Sequence, residues 1–120
     1  METTLHYADG LTFPKNIAFR AAFKKATTRD ADVYAVQGFD TGSLLISGLN
    51  AVKGDTKARQ AMVDAMAKTV FDSPRGKFTL SAAHNPVQDI YLRKATGLEN
   101  LYVRVAVKAL ADPATGCKMS

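Results

Sequence analysis

The chain has 120 residues, enough for one small hydrophobic core. Hydrophobic residues make up 47% of it and charged residues 22%, as in an ordinary globular protein, and no apolar run is long enough to cross a membrane. The 16 basic and 11 acidic residues give a net charge of +5, but the basic residues are dispersed, which favours a solvated surface over a nucleic-acid site.

The residues that carry chemistry are sparse. Cys117 is the only cysteine, so the sequence offers no internal disulfide and no thiolate metal site. His6 and His84 are widely separated, and the chain has neither a phosphate-binding loop nor a nucleophile motif. A nucleophilic pair of Cys117 and His84 is formally possible, but it has no support beyond position. We therefore expect a protein that is not an enzyme and has no cofactor.

The apolar spacing is helical as far as about Asp72, and it predicts three helices. The first covers about 14–26 and begins at a proline, which suits a first helical turn. The second covers about 38–52, and its small residues predict either close packing against a neighbour or a ligand near the start of the helix. Asp55 or Thr56 is the predicted N-cap of the third.

Beyond Asp72 the apolar residues alternate, which predicts strands. A short strand is expected at 77–80 and a second around 90–93, followed by a hairpin loop at 96–100. The return strand, 101–108, gives the clearest alternation. Its predicted buried face consists of Leu101, Val103, Val105 and Val107.

The sequence therefore predicts an α/β chain in which three helices are followed by a short antiparallel strand hairpin. The helical part lies within about 14–70, the strand part within about 77–108, and 109–120 form an irregular tail. Three short strands make a small sheet, which ordinarily needs further strands or a partner to cover the helices. We therefore expect this chain to be incomplete as a folding unit.

Five segments, taken in order, resemble the last third of the type I periplasmic binding proteins, the leucine-binding-protein family that serves branched-chain amino-acid transport. They are Asn16–Phe23, Val33–Leu45, Asp72–Phe78, Asn85–Arg93 and Asp112–Met119. Their order and spacing cover nearly the whole chain.

The resemblance implies part of a two-lobed, Rossmann-like fold that holds a small ligand in the cleft between its lobes. Closure around the ligand would present the protein to the membrane permease of an ABC transporter. The implied function is the solute-binding component of an importer for amino acids or related small carboxylates, with no nucleic-acid partner. The implied location is the periplasm, although Met1–Tyr7 has neither the basic nor the apolar region of a signal peptide.

The same resemblance implies candidate ligand-binding residues in the segment Gln37–Asp40, which matches the start of a family helix whose aromatic residue faces the cleft. Phe39 would pack against the ligand. Gln37 and Asp40 would supply polar contacts or hold the turn. On the alternative interpretation, Phe39 only fills the core at the start of the helix.

A second hypothesis is a small basic interaction module that binds a protein or a polyanion. Its motivation is the exposed edge of a short hairpin, which could complete its sheet across a dimer.

Overall fold

The computed structural model describes residues 1–113 and 115–116. Within them the order of elements is β1 (Glu2–Leu5), α1 (Pro14–Thr27), α2 (Val33–Ala51), α3 (Arg59–Ala67), β2 (Phe71–Ser73), β3 (Gly76–Leu80), β4 (Pro86–Thr96) and β5 (Glu99–Leu110). The predicted α/β class, with three helices and an antiparallel hairpin, is confirmed.

The five strands form one antiparallel sheet in which β4 pairs with β1, β3 and β5. The hairpin of β4 and β5 is longer than predicted, with strands of 11 and 12 residues. Strands β1 and β2 are additional to those that the sequence predicts. The first of these pairs Glu2 with Lys94, a partner that the local pattern does not reveal.

Two helix starts differ from the prediction. Helix α2 begins at Val33 rather than near Gly38, because the Asp32 carboxylate accepts a hydrogen bond from the backbone N–H of Ala35 at 2.9 Å and caps the helix. Helix α3 begins only at Arg59. Asp55, a predicted N-cap, instead accepts from the N–H of Lys57 in the preceding turn.

The predicted close packing of α2 occurs at Gly48. A β-carbon at this position would lie 2.7 Å from Cγ of Met66 and 3.0 Å from Cγ of Met62, so α2 and α3 approach each other over the bare glycine. Gly38 and Gly42, on the same helix, face open space instead.

The core contains the buried residues Tyr7, Ala8, Leu11, Val36 and Tyr91, which join the segment after β1 to α2 and β4. The predicted buried face of β5 is only partly correct. Leu101 and Val105 are half-buried, whereas Val103 and Val107 are exposed. Three irregularities in the pairing of β4 with β5 interrupt the register. They change which side chains of β5 point to the buried face of the hairpin.

Residues 109 and 110 belong to β5, which corrects the predicted start of the irregular tail. Cys117 lies outside the described residues, so its role stays a prediction. Among the described helices, none combines the length and the apolar character needed to cross a bilayer.

Candidate functional site

A buried ion pair joins α2 to the turn between β2 and β3. Arg75 and Asp40 are each about 8% exposed in their side chains, and Nε of Arg75 donates to Oδ2 of Asp40 at 2.8 Å. Nη1 of Arg75 donates to the side-chain oxygen of Gln88 on β4. The guanidinium carbon lies 4.0 Å from the ring centroid of Phe78 on β3. We call Asp40, Arg75, Phe78 and Gln88 the Arg75 junction, since they connect four parts of the fold.

Two hydrogen bonds also fix the backbone of the turn between β2 and β3. The hydroxyl of Tyr91 donates to the carbonyl oxygen of Arg75 at 2.5 Å, and the N–H of Arg75 donates to Oγ of Ser73 at 3.2 Å. Burial lowers the pKa of Arg75, and the Asp40 carboxylate opposes this shift. Burial also raises the pKa of Tyr91 to about 12, so its hydroxyl keeps the proton that it donates.

A cavity of about 410 Å³ lies beside the junction. It is lined by His6, Gln37, Asp40, Thr41, Leu44, Phe71, Arg75, Phe78, Leu80, Pro86 and Gln88. Two of the sequence-predicted site residues, Gln37 and Asp40, therefore share one cavity. Gln37 is exposed, with Nε2 at 3.4 Å from Nε2 of His6.

The charges around this cavity cancel. Burial, with Arg75 and Arg93 nearby, lowers the pKa of His6 to about 4, so the imidazole is neutral at neutral pH. Asp40 and Arg75 compensate each other. The one cation available to a carboxylate ligand in this lining is Arg75, which is already bonded to Asp40 and Gln88. The geometry therefore favours a structural role for the junction.

The lowered pKa of His6 predicts that the stability of the chain depends on pH. Its folded-state value of about 4 lies below the ordinary value of 6.5. Between these two pH values the unfolded chain therefore binds more protons than the folded chain. The free energy of unfolding has its full value above about pH 6.5 and decreases as the pH falls toward 4. Urea unfolding between pH 7 and 5 should show this decrease in the parent chain and a smaller one in His6→Gln. Equal slopes would contradict the burial of His6.

Phe39, the third predicted site residue, does not line this cavity. Its half-buried ring lies against α1, with its centroid 5.2 Å from that of Phe19 in an edge-to-face contact. Nζ of Lys15 lies 5.6 Å from the Phe39 centroid. All three residues lie within α2, so the helical rotation of about 100° per residue places Phe39 about 200° from Gln37 and about 100° from Asp40.

A second cavity, of about 630 Å³, has Lys15 in its wall. Its lining consists of Phe13, Pro14, Lys15, Ala18, Asp72, Ser73, Gly76, Lys77, Asp89 and Tyr91. We call it the Lys15 cavity. It combines aromatic rings with the ammonium groups of Lys15 and Lys77 and the carboxylates of Asp72 and Asp89. The sequence does not predict it, because its walls come from α1, β2, β3 and β4.

The start of α1, which carries Lys15, is fixed by a buried amide. Asn16 is 1% exposed, and its Nδ2 donates to the carbonyl oxygen of Leu11 at 2.8 Å. Oδ1 of Asn16 accepts from the hydroxyl of Tyr7 at 3.0 Å, and that hydroxyl also accepts from Arg20 at 3.3 Å. This network ties the first turn of α1 to the core.

In the described residues, no group of three or more histidine, cysteine, aspartate or glutamate side chains could hold a metal ion.

The fold has well-matched relatives among solved structures. A solute binding protein of an ABC transporter from R. palustris, in complex with benzoate, is 47% identical with a TM-score of 0.94, and the match covers 98% of this chain and 33% of that chain. A solute binding protein from Rhodopseudomonas palustris BisB5, in complex with 3,4-dihydroxy benzoic acid, is 26% identical with a TM-score of 0.82 and coverage of 95% and 32%.

A leucine binding protein from Thermotoga maritima is 15% identical with a TM-score of 0.72 and coverage of 88% and 30%, so this match shows the fold alone. The chain therefore spans about one third of the length of the solved relatives that it matches. A search of the curated proteins found no match.

A family model described as periplasmic binding protein matches residues 1–99. The resemblance inferred from the sequence is confirmed by this match and by the solved structures. This chain belongs to the periplasmic binding protein family, with the fold of the type I solute-binding proteins of ABC transporters.

Proposed function

We propose that this chain supplies about one third of a two-lobed solute-binding protein of an ABC importer, and that the ligand of the whole protein is a small aromatic carboxylate. The likeness to the benzoate complex carries the proposal, since 47% identity and a TM-score of 0.94 extend over 98% of this chain. The whole protein would act in the periplasm, would deliver its ligand to a membrane permease and would catalyse no reaction.

The surface of the chain supports the two-lobed arrangement. The helices leave large apolar side chains in water, among them Ile17 at 60% and Ile46 at 59% exposure, and Val70, between α3 and β2, is 66% exposed. Val103 and Val107 of β5 are exposed as well. A small protein that exposes this much apolar surface usually buries it against another element. We assign that role to the remaining two thirds of a solute-binding protein.

We prefer an aromatic ligand because of the sequence identities to the solved relatives. The solved amino-acid transport proteins in the comparison are 13% to 20% identical, which supports the fold and no ligand. The benzoate complex is much closer in sequence. The aromatic carboxylate is therefore our choice among the amino acids and small carboxylates that the sequence predicted.

Among the predicted site residues, we assign Phe39 to the aromatic contact with the ligand. Support comes from its half-buried ring and the ammonium group of Lys15 nearby. Gln37 lies on another side of α2, beside His6, so we do not assign it to the same contact. We assign Asp40 to the Arg75 junction, since its carboxylate is buried and paired.

A hybrid protein tests the proposal. This chain would replace the matching third of the benzoate-bound relative, and thermal unfolding would be followed with and without ligand. We expect benzoate, at about a hundredfold excess over its Kd, to stabilise the hybrid by about 2.7 kcal/mol, and leucine to have no effect.

The unmodified relative serves as the positive control for the same measurement. A hybrid that unfolds cooperatively but responds to no aromatic carboxylate would contradict the proposed ligand class. A response to leucine alone would replace it with the amino-acid class.

A further inference from the structure

Helix α3 depends on its packing against α2. It has nine residues, none of them is buried, and no side-chain hydrogen bond caps its start. An isolated helix of this length is marginal in water, so tertiary contacts must hold it in place. These contacts are made chiefly with α2, where Met62 and Met66, one turn apart on α3, lie over Gly48.

The sulfur of Met66 is part of the tightest point of this contact. Gly48 is buried, and a β-carbon built on it would lie 3.1 Å from Sδ of Met66, closer than an ordinary van der Waals contact. Met62 approaches the same glycine through its Cγ. An oxygen atom added to Sδ of Met66 on this side would be pressed against the buried glycine.

A small cavity gives access to the same side chain. Its volume is about 190 Å³, and it is lined by Leu44, Val63, Met66, Ala67, Leu80 and His84. Met66 is only half-buried, so a solute as small as hydrogen peroxide can reach it in the folded chain. His84 is the one polar side chain of this lining, which is therefore a poor environment for a newly formed polar group.

Peroxides convert a thioether to a sulfoxide by a two-electron oxidation. A lone pair of the sulfur attacks one peroxide oxygen, and the S–O bond forms as the O–O bond breaks. The proton of the transferred oxygen passes to the departing hydroxide, which leaves as water. The flexible apolar side chain becomes a polar one, and such a change disrupts packed methionine contacts.

We propose that Met66 is an oxidation-sensitive contact, and that its conversion to the sulfoxide by a peroxide releases α3 from α2. Enzymatic reduction by methionine sulfoxide reductases would restore the contact. Met66 is favoured over Met62 because its sulfur lies at the bare glycine and because it lines the cavity. The site involves no residue assigned to the ligand, so it is independent of the proposed function.

The test is amide hydrogen exchange of the 120-residue chain before and after treatment with hydrogen peroxide, with the sulfoxides located by peptide mass spectrometry. We expect the Met66 sulfoxide to form in the folded chain and the amides at 62–67 to exchange about tenfold faster, because a polar group then disrupts the contact with α2. Treatment with methionine sulfoxide reductases should return the exchange to its starting rate.

Three variants separate the contact from general oxidation. Met66→Leu conserves volume and cannot take up oxygen, so its α3 amides should not respond to peroxide. Met1→Leu is the matched control, because Met1 is 90% exposed, and this variant should respond as the parent does. Gly48→Ala should speed the exchange of α3 without any oxidant, since its β-carbon would displace Met66.

A Met66 side chain that stays reduced in the folded chain would overturn the assignment. Formation of the Met66 sulfoxide with unchanged exchange of α3 would also overturn it. So would a response of Met66→Leu to peroxide as large as that of Met1→Leu, because another methionine would then be responsible.

Discussion

Replacing Asp40 with alanine is expected to lower the free energy of unfolding by about 3–5 kcal/mol, because the substitution leaves the buried guanidinium of Arg75 without its ion partner. The two side chains are each about 8% exposed and 2.8 Å apart, so bulk solvent screens this pair little. Urea unfolding monitored by circular dichroism measures the change. A loss of the cooperative transition in the absence of urea would be the extreme form of the same result.

A matched control is available on α1. Lys24 and Asp30 form an ion pair at the same 2.8 Å distance, but their side chains are 59% and 68% exposed. Asp30→Ala should leave the unfolding midpoint nearly unchanged, since solvent screens this pair. Equal destabilisation by Asp30→Ala and Asp40→Ala would show that burial does not govern the effect, and the structural role of the Arg75 junction would have to be abandoned.

Tyr91→Ala should have an effect of similar size, about 3–5 kcal/mol, because it removes a large ring from the core. The residue is 2% exposed, and its ring packs edge-to-face with Tyr102 at 5.8 Å between centroids. The substitution also removes the hydroxyl that donates to the carbonyl oxygen of Arg75. Unfolding in urea again provides the measurement.

Tyr91→Phe separates the ring from the hydroxyl. It keeps the packing and loses only the hydrogen bond of 2.5 Å to Arg75, so we expect a smaller loss of about 1–3 kcal/mol. If the alanine and phenylalanine variants are equally stable, the ring contributes nothing and the position of Tyr91 in the core is wrong.

The parts of the fold that the sequence predicts well are those specified by neighbouring residues. Pro14 and the apolar stripe after it predict α1, and the structure places the helix at Pro14–Thr27. The alternation before and after the loop near Gly97 predicts the hairpin of β4 and β5. Both signals arise from periodicities that a short window contains.

The parts that were missed depend on residues far apart in the chain. Strand β1 exists because Glu2–Leu5 pairs with β4, about ninety residues later. From its sequence context, Arg75 is expected to be a solvated basic residue in a turn. It is buried instead, because Asp40, 35 residues earlier, neutralises its charge. No local pattern records either pairing.

The candidate site was predictable only in part, and for a similar reason. Gln37 and Asp40 do line a cavity, but the helical rotation of α2 directs Phe39 toward α1. The Lys15 cavity takes its walls from four elements of the fold. Its residues come together only when the sheet and α1 are assembled, so spacing along the sequence could not reveal it.

That this chain is one third of an aromatic-acid-binding protein is tested most directly by a calorimetric titration. Benzoate is titrated into a mixture of this chain and the other two thirds of the benzoate-bound relative, expressed as a separate polypeptide. We expect the mixture to bind benzoate with one site per complex, and each part alone to bind it at least a hundredfold more weakly, about 2.7 kcal/mol in affinity. Benzoate binding by this chain alone as tight as binding by the mixture would contradict it. A stable complex of the two parts that binds no aromatic carboxylate would contradict the proposed ligand.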